Sequence, residues 1–145
     1  MKIGLLGFDF QSPNKGCEAL TYSFIDCLCG FNLKDLEIHV FGYSELGCIP
    51  QRYPSIKFVN HRLHMKNPLF WVALKRKFDD MSCIFDITFG DGFSDIYGKK
   101  WNALTNLVKQ IAIFSSAPFI LLPQTYGPYE SVLLTTHEAT SGMSS

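Results

Sequence analysis

Excess charge of either sign, a long apolar run and a paired-cysteine framework are all missing from this sequence. Thirteen Lys plus Arg balance thirteen Asp plus Glu, for a formal net charge of +0. No strong field draws such a chain to nucleic acid or to an anionic lipid surface, so neither is an expected partner. The longest apolar stretch, from Ile111 to Leu122, is broken by Ser115, Ser116 and Pro118. It falls short of the roughly 18 residues that a spanning helix needs, so no membrane span is expected. The opening MKIGLLGFDFQ has one Lys and an apolar run interrupted by Asp9 and Gln11; it reads as a first strand, not a leader. Cys17, Cys27, Cys29, Cys48 and Cys83 are odd in number and irregularly spaced. They are expected to be reduced thiols of a cytoplasmic protein.

Several chemical signatures are absent too. Gly4 and Gly7 precede a long loop and do not make G-x-G-x-x-G, and G-x-x-x-x-G-K-[ST] does not occur, which argues against a nicotinamide or ATP site. Without G-x-S-x-G there is no nucleophile elbow, so acyl transfer has no support. His61 and His64 lack the Glu and the third ligand of a zinc helix, and are expected to be solvated loop residues. Cys27 and Cys29, two apart on a helix, point in different directions and cannot chelate as C-x-x-C does. No metal and no cofactor are expected.

What is present suits one α/β domain. At 145 residues with 47% hydrophobic residues and 13 Phe, the chain can supply a single core. Apolar, β-branched and aromatic runs at Lys2–Gly7, Leu36–Phe41, Ile56–Asn60, Cys83–Phe89 and Pro118–Pro123 predict five strands. Helical periodicity lies between them. Cys17, Leu20, Phe24 and Leu28 form one stripe stopped by Gly30, and Phe70, Leu74 and Phe78 follow an Asn67–Pro68 start. Trp101, Leu104, Val108, Ile111 and Ala112 form a third stripe. Lys75, Arg76 and Lys77 close the middle helix, where the helix dipole favours them. The alternation predicts a Rossmann-like, doubly wound, mostly parallel five-stranded sheet with flanking helices. Residues 1–130 make that domain; the Ser/Thr-rich stretch 131–145 is expected to be a polar, disordered tail.

In the doubly wound order the first and fourth strands are central neighbours, and a crevice opens at their carboxyl ends. Three loops converge there. Asn14, Gly16 and Glu18 open the first helix, whose free N–H groups suit an oxygen or anion. The loop GDGFSDIYG carries Asp91 and Asp95 among Gly90, Gly92 and Gly98, so backbone can approach a ligand while carboxylates accept hydroxyl hydrogen bonds or a proton. Capping and Asx-turn roles for Asn14, Asp91 and Asp95 account for the same residues without a ligand. Asp86, inside the fourth strand, is expected to serve the sheet or its neighbouring backbone. Gln124 to Pro128 forms the third wall.

These segments resemble the amino-terminal half of the polysaccharide pyruvyl transferase family. Asn14, Gly16, Glu18 and Ala19 match its N-x-G-x-E-A helix start, Phe89-Gly90-Asp91-Gly92 its glycine loop, and Gln124-Thr125-Tyr126-Gly127-Pro128 its Q-[ST]-[IY]-G-P turn. Cys17 stands where many members have Asp, and Asp91 where a second Gly is frequent. The resemblance implies the N-terminal domain of a two-domain, glycosyltransferase-B-like fold. It implies transfer of pyruvyl from phosphoenolpyruvate to a sugar, giving a cyclic pyruvate ketal, as in cell-surface exopolysaccharide synthesis. On this reading the chain is a truncated acceptor-side half: Asp91 is the catalytic base or hydroxyl anchor, and Asn14, Gly16, Glu18, Gly90, Gly92, Asp95, Gln124 and Tyr126 bind substrate. The partners would be a sugar or glycan acceptor and, with the second half supplied, phosphoenolpyruvate. Self-association is expected through an exposed interdomain face carrying Phe93, Tyr97, Tyr126 and Tyr129. The alternatives are a non-catalytic sugar-binding or small-ligand Rossmann-like domain, or one half of a split enzyme.

Overall fold

A computed structural model describes residues 1–11, 15–42, 49–63, 68–87 and 99–123. Its elements are β1 (Lys2–Leu6), α1 (Lys15–Gly30), β2 (Glu37–Gly42), α2 (Ile49–Arg52), β3 (Lys57–Arg62), α3 (Pro68–Asp79), β4 (Cys83–Asp86), α4 (Lys99–Ile113) and β5 (Phe119–Leu121). The five strands form one all-parallel sheet in the order β3-β2-β1-β4-β5, a Rossmann-like α/β fold. The apolar runs mark all five strands to within about three residues at each described end. The single turn of α2 carries no stripe and is not foreseen. Among the described residues no helix is long and apolar enough to cross a membrane.

Alternation along β1 divides the core in two. Ile3 and Leu5 join Ile38, Val40, Ile25 and Leu28 on the α1 side. Leu6 joins Phe41, Ile84, Leu74, Phe78, Val108 and Ala112 on the side of α3 and α4. Both faces are covered, so β1 is apolar from Ile3 to Leu6 and does not alternate with polar residues there. Gly4 sits where a Cβ would stand 3.2 Å from Ile84 Cγ1 and 3.3 Å from Met81 Cγ, so a larger side chain there would have to push these neighbours back by a few tenths of an ångström.

The α1 stripe differs from the expected one. The buried residues are Cys17, Thr21, Ile25 and Leu28, while Leu20 is exposed and Phe24 half-buried. Thr21 can be buried because its hydroxyl donates to the Cys17 carbonyl at 3.0 Å, which satisfies it within the helix. The helix ends at Gly30 as expected, yet the left-handed turn is made by Asn32, at φ 49°. Tight bonds from Phe31 N–H to Leu28 O and from Asn32 N–H to Cys29 O close the last turn.

The α3 stripe holds: Leu74 and Phe78 are buried and Phe70 is half-buried. Of its basic triplet, Lys75 pairs with Asp79 one turn on, at 2.9 Å, and Lys77 reaches the His61 ring. His61 is therefore a residue of β3 packed against α3, not a solvated loop histidine, because β3 continues to Arg62. His64, Asn67 and the tail 131–145 lie outside the described residues.

Candidate functional site

The chain leaves β1 toward β2 and leaves β4 toward β5, so its direction reverses between the two central strands. At such a switch point the connections diverge and leave a crevice at the carboxyl ends of the strands. β1 is followed by Gly7, whose φ of 74° belongs to the left-handed region and turns the chain out of the sheet. Phe8 and Phe10 then fold back into the α1-side core. Their rings meet Phe24 at 5.2 Å, Tyr22 at 6.0 Å and Phe58 at 6.1 Å. Asp9 between them stays half-buried, and its Oδ1 accepts a bond from the Gln11 N–H at 3.0 Å. A polar turn thus sits on an aromatic footing at the mouth of the crevice.

Gly16 and Glu18, the expected binding residues that fall within the described residues, lie in the first turn of α1. Gly16 is exposed and Glu18 half-buried. The Glu18 carboxylate accepts from Lys15 Nζ at 2.7 Å, and its charge also suits a helix N-terminus. The Lys15 side chain is 83% exposed, so this surface pair is easily exchanged for a ligand hydroxyl. The expected catalytic Asp91, with Asn14, Gly90, Gly92, Asp95, Gln124 and Tyr126, lies outside the described residues, as do Phe93, Tyr97 and Tyr129.

The feature not foreseen is a buried ion pair under β4. Lys109 Nζ lies 3.3 Å from Asp86 Oδ2, with both side chains at 0% exposure. Asp86 therefore answers a cation on α4, beyond the sheet or neighbouring-backbone role expected of it. Backbone bonds brace the same level: the Ile87 N–H donates to Leu6 O, and the Leu122 N–H to Asp86 O. Those bonds tie the ends of β1, β4 and β5 together just where the chain enters 88–98. Burial pushes the Lys109 ammonium down to about 8, with the Asp86 charge opposing the shift. Thr105, one turn back on α4, and Asn106 are buried as well. The sequence does carry a signal for this cluster. One acid interrupts the apolar run Cys83–Ile87, and one lysine falls within the apolar stripe of α4.

Chemically, the described part of the site offers accessible carboxylates at Asp9 and Glu18 and a helix N-terminus at Gly16. Asp86 is held in its ion pair with Lys109 on the α4 side of the sheet. Among the described residues no group of three His, Cys, Asp or Glu side chains could hold a metal ion. No family model, no curated protein and no solved structure matches this chain.

Proposed function

We propose that this chain provides the acceptor side of a polysaccharide pyruvyl transferase-like reaction, within a glycosyltransferase-B-like pairing of two Rossmann-like units. The observation that carries the reading is the β1–β4 switch point, because the three motif-bearing segments follow β1, β4 and β5 in the chain and these are the strands at and next to it. In the reaction the methylene carbon of phosphoenolpyruvate gains a proton. Two sugar hydroxyl oxygens bond to the adjacent carbon, and its bond to the phosphate oxygen breaks. One hydroxyl proton is thereby balanced by the new methyl group and the other by the released phosphate. Asp91 takes a hydroxyl proton; Asn14, Gly16, Glu18, Gln124 and Tyr126 orient the sugar. The phosphate and carboxylate of the donor need a cationic clamp, and the second unit supplies it.

Calorimetry with sugar acceptors and with phosphoenolpyruvate, alongside NMR detection of the ketal methyl group, tests this reading. Sugar binding that Asp91→Asn weakens tenfold or more supports it. Sugar binding indifferent to Asp91→Asn transfers the site to the alternative, a non-catalytic sugar-binding or small-ligand domain. No binding of any sugar overturns the acceptor-side reading and its sugar-binding alternative.

A further inference from the structure

We propose that His39 and His61 form an acid-operated latch between α3 and the β2–β3 half of the sheet, closed while both rings are neutral and opened by a single added proton. The argument starts from the two ends of a hydrogen-bond chain. At one end Lys77 Nζ lies 2.9 Å from His61 Nδ1, and an ammonium only donates. At the other end Glu37 Oε1 lies 2.9 Å from His39 Nε2, and a carboxylate only accepts. Between them His39 Nδ1 faces His61 Nε2 at 2.7 Å. One proton arrangement satisfies all three contacts. Lys77 donates to His61 Nδ1, His61 Nε2–H donates to His39 Nδ1, and His39 Nε2–H donates to Glu37. Both rings are then neutral, each with its proton on Nε2. A further proton on His61 Nδ1 sets N–H against the Lys77 ammonium, and one on His39 Nδ1 sets two N–H groups against each other. Either way one contact is lost.

The latch sits where α3 packs. The His61 ring stacks on Phe41 with centroids 4.7 Å apart, and Phe41 meets Phe78 of α3, also at 4.7 Å. His39 is buried, and its ring lies edge to edge with that of His61, the two near-parallel with centroids 5.0 Å apart. Charges face the pair from every neighbouring element: Lys2 from β1, Glu37 from β2, Lys57 from β3, Lys77 from α3 and Asp80 just beyond it. Lys57 holds Glu37 at 3.2 Å and Lys2 pairs with Asp80, so both acids that would welcome an imidazolium are already engaged. Burial, then Lys77, pushes His61 down to about 4; burial also lowers His39.

The sign follows from proton linkage. Each ring titrates near 6.5 when the latch is open and lower when it is closed, so the open form binds more protons below that pH. The closed latch is fully stabilising above pH 6.5 and loses ground as pH falls from there toward 4. With His61 at about 4 in the closed form, lowering the pH from 7 to 5 raises the opening constant about 20-fold. Imidazole nitrogen NMR and amide hydrogen exchange on the whole chain test the proposal. At pH 7 both rings should show the Nε2–H tautomer. By pH 5, after correction for intrinsic exchange rates, protection of α3 amides should fall about 20-fold while α1 holds. His61→Phe, which keeps the ring stack and cannot titrate, should flatten that response. Rings titrating near 6.5 with α3 protection unchanged overturn the latch, as does an unaltered acid response in His61→Phe.

Discussion

Replacing Lys109 by Met is the sharpest test of the packing between α4 and the sheet. Met retains the unbranched aliphatic stem and removes the charge, so the change isolates the ion pair from the loss of packing volume. Asp86 would then be a fully buried carboxylate whose cation, 3.3 Å away, is gone. Breaking a buried pair from one side costs about 3–5 kcal/mol. Unfolding entropy near 2.1 cal/mol/K per residue gives about 0.3 kcal/mol/K for 145 residues, so Tm should fall by about 10–16 °C. Denaturant and thermal melts followed by circular dichroism measure this. The double variant Asp86→Leu with Lys109→Met removes both charges and should recover most of the loss. A pH series adds an independent check. Lys109 sits at about 8 in the folded chain, against about 10.4 unfolded. Between those values the unfolded chain holds a proton that the folded chain has released, so stability rises with pH across that window. The double variant should lack the rise. A single variant within about 1 kcal/mol of the parent, or a double variant no better than the single, would refute the reasoning.

Two further perturbations probe other parts of the fold. Gly7→Ala places a Cβ at a φ of 74° and should cost about 1–2 kcal/mol in a urea titration, with Gly7→Asn costing less. Tyr53→Phe removes the hydroxyl that donates to Asp26 Oδ1 at 2.7 Å and should cost about 0.5–1.5 kcal/mol. Burial and that bond raise the Tyr53 phenol above its usual 10, so its contribution is complete below pH 10 and is lost as pH rises through the folded value. Alkaline melts of parent and variant should therefore converge.

Order and type of the strands were legible because parallel strands read as compact apolar runs: Ile3–Leu6 is one covered on both faces, and Phe119–Leu121 is one at the sheet edge, where Ile120 is exposed. The face of α1 was less legible. Leu20, Phe24, Ile25 and Leu28 spread apolar residues over a wide arc, so several stripes fit the period equally well. What decided between them was a hydroxyl satisfied by its own helix at Thr21, which periodicity does not see. The histidine chain was illegible for another reason. His39 and His61 are 22 residues apart and meet through the β2–β3 register, in which His39 faces Val59 and His61 faces Phe41. Register is set by pairing between strands and leaves no mark at either residue. At the crevice, Gly16 and Glu18 stand in the first turn of α1 as their pattern implied. The Asp86–Lys109 pair was illegible because opposite charges in two otherwise apolar elements carry meaning only together, and nothing in the sequence marks that β4 and α4 bring these two into contact.

That pair also answers a question left open by the apolar pattern. β4 is four residues long and apolar on both faces: Cys83 and Phe85 pack toward α1, and Ile84 toward α3 and α4. Hydrophobicity alone hardly distinguishes this register from one shifted by a residue, since either shift still buries apolar side chains. Asp86 removes the degeneracy. In the observed register it pairs with Leu6 on one side and Leu121 on the other, and its side chain meets Lys109. A one-residue slip would turn it toward the α1 side, where Phe24 meets Phe85 at 4.9 Å and Ile25 and Leu28 are buried. The slipped state would then separate two buried charges, one on each face of the sheet, at a cost of several kcal/mol. The ion pair thus contributes more to choosing one register than to deepening the native minimum. The apolar double variant should accordingly keep its stability while showing more conformational exchange at β4 by relaxation dispersion.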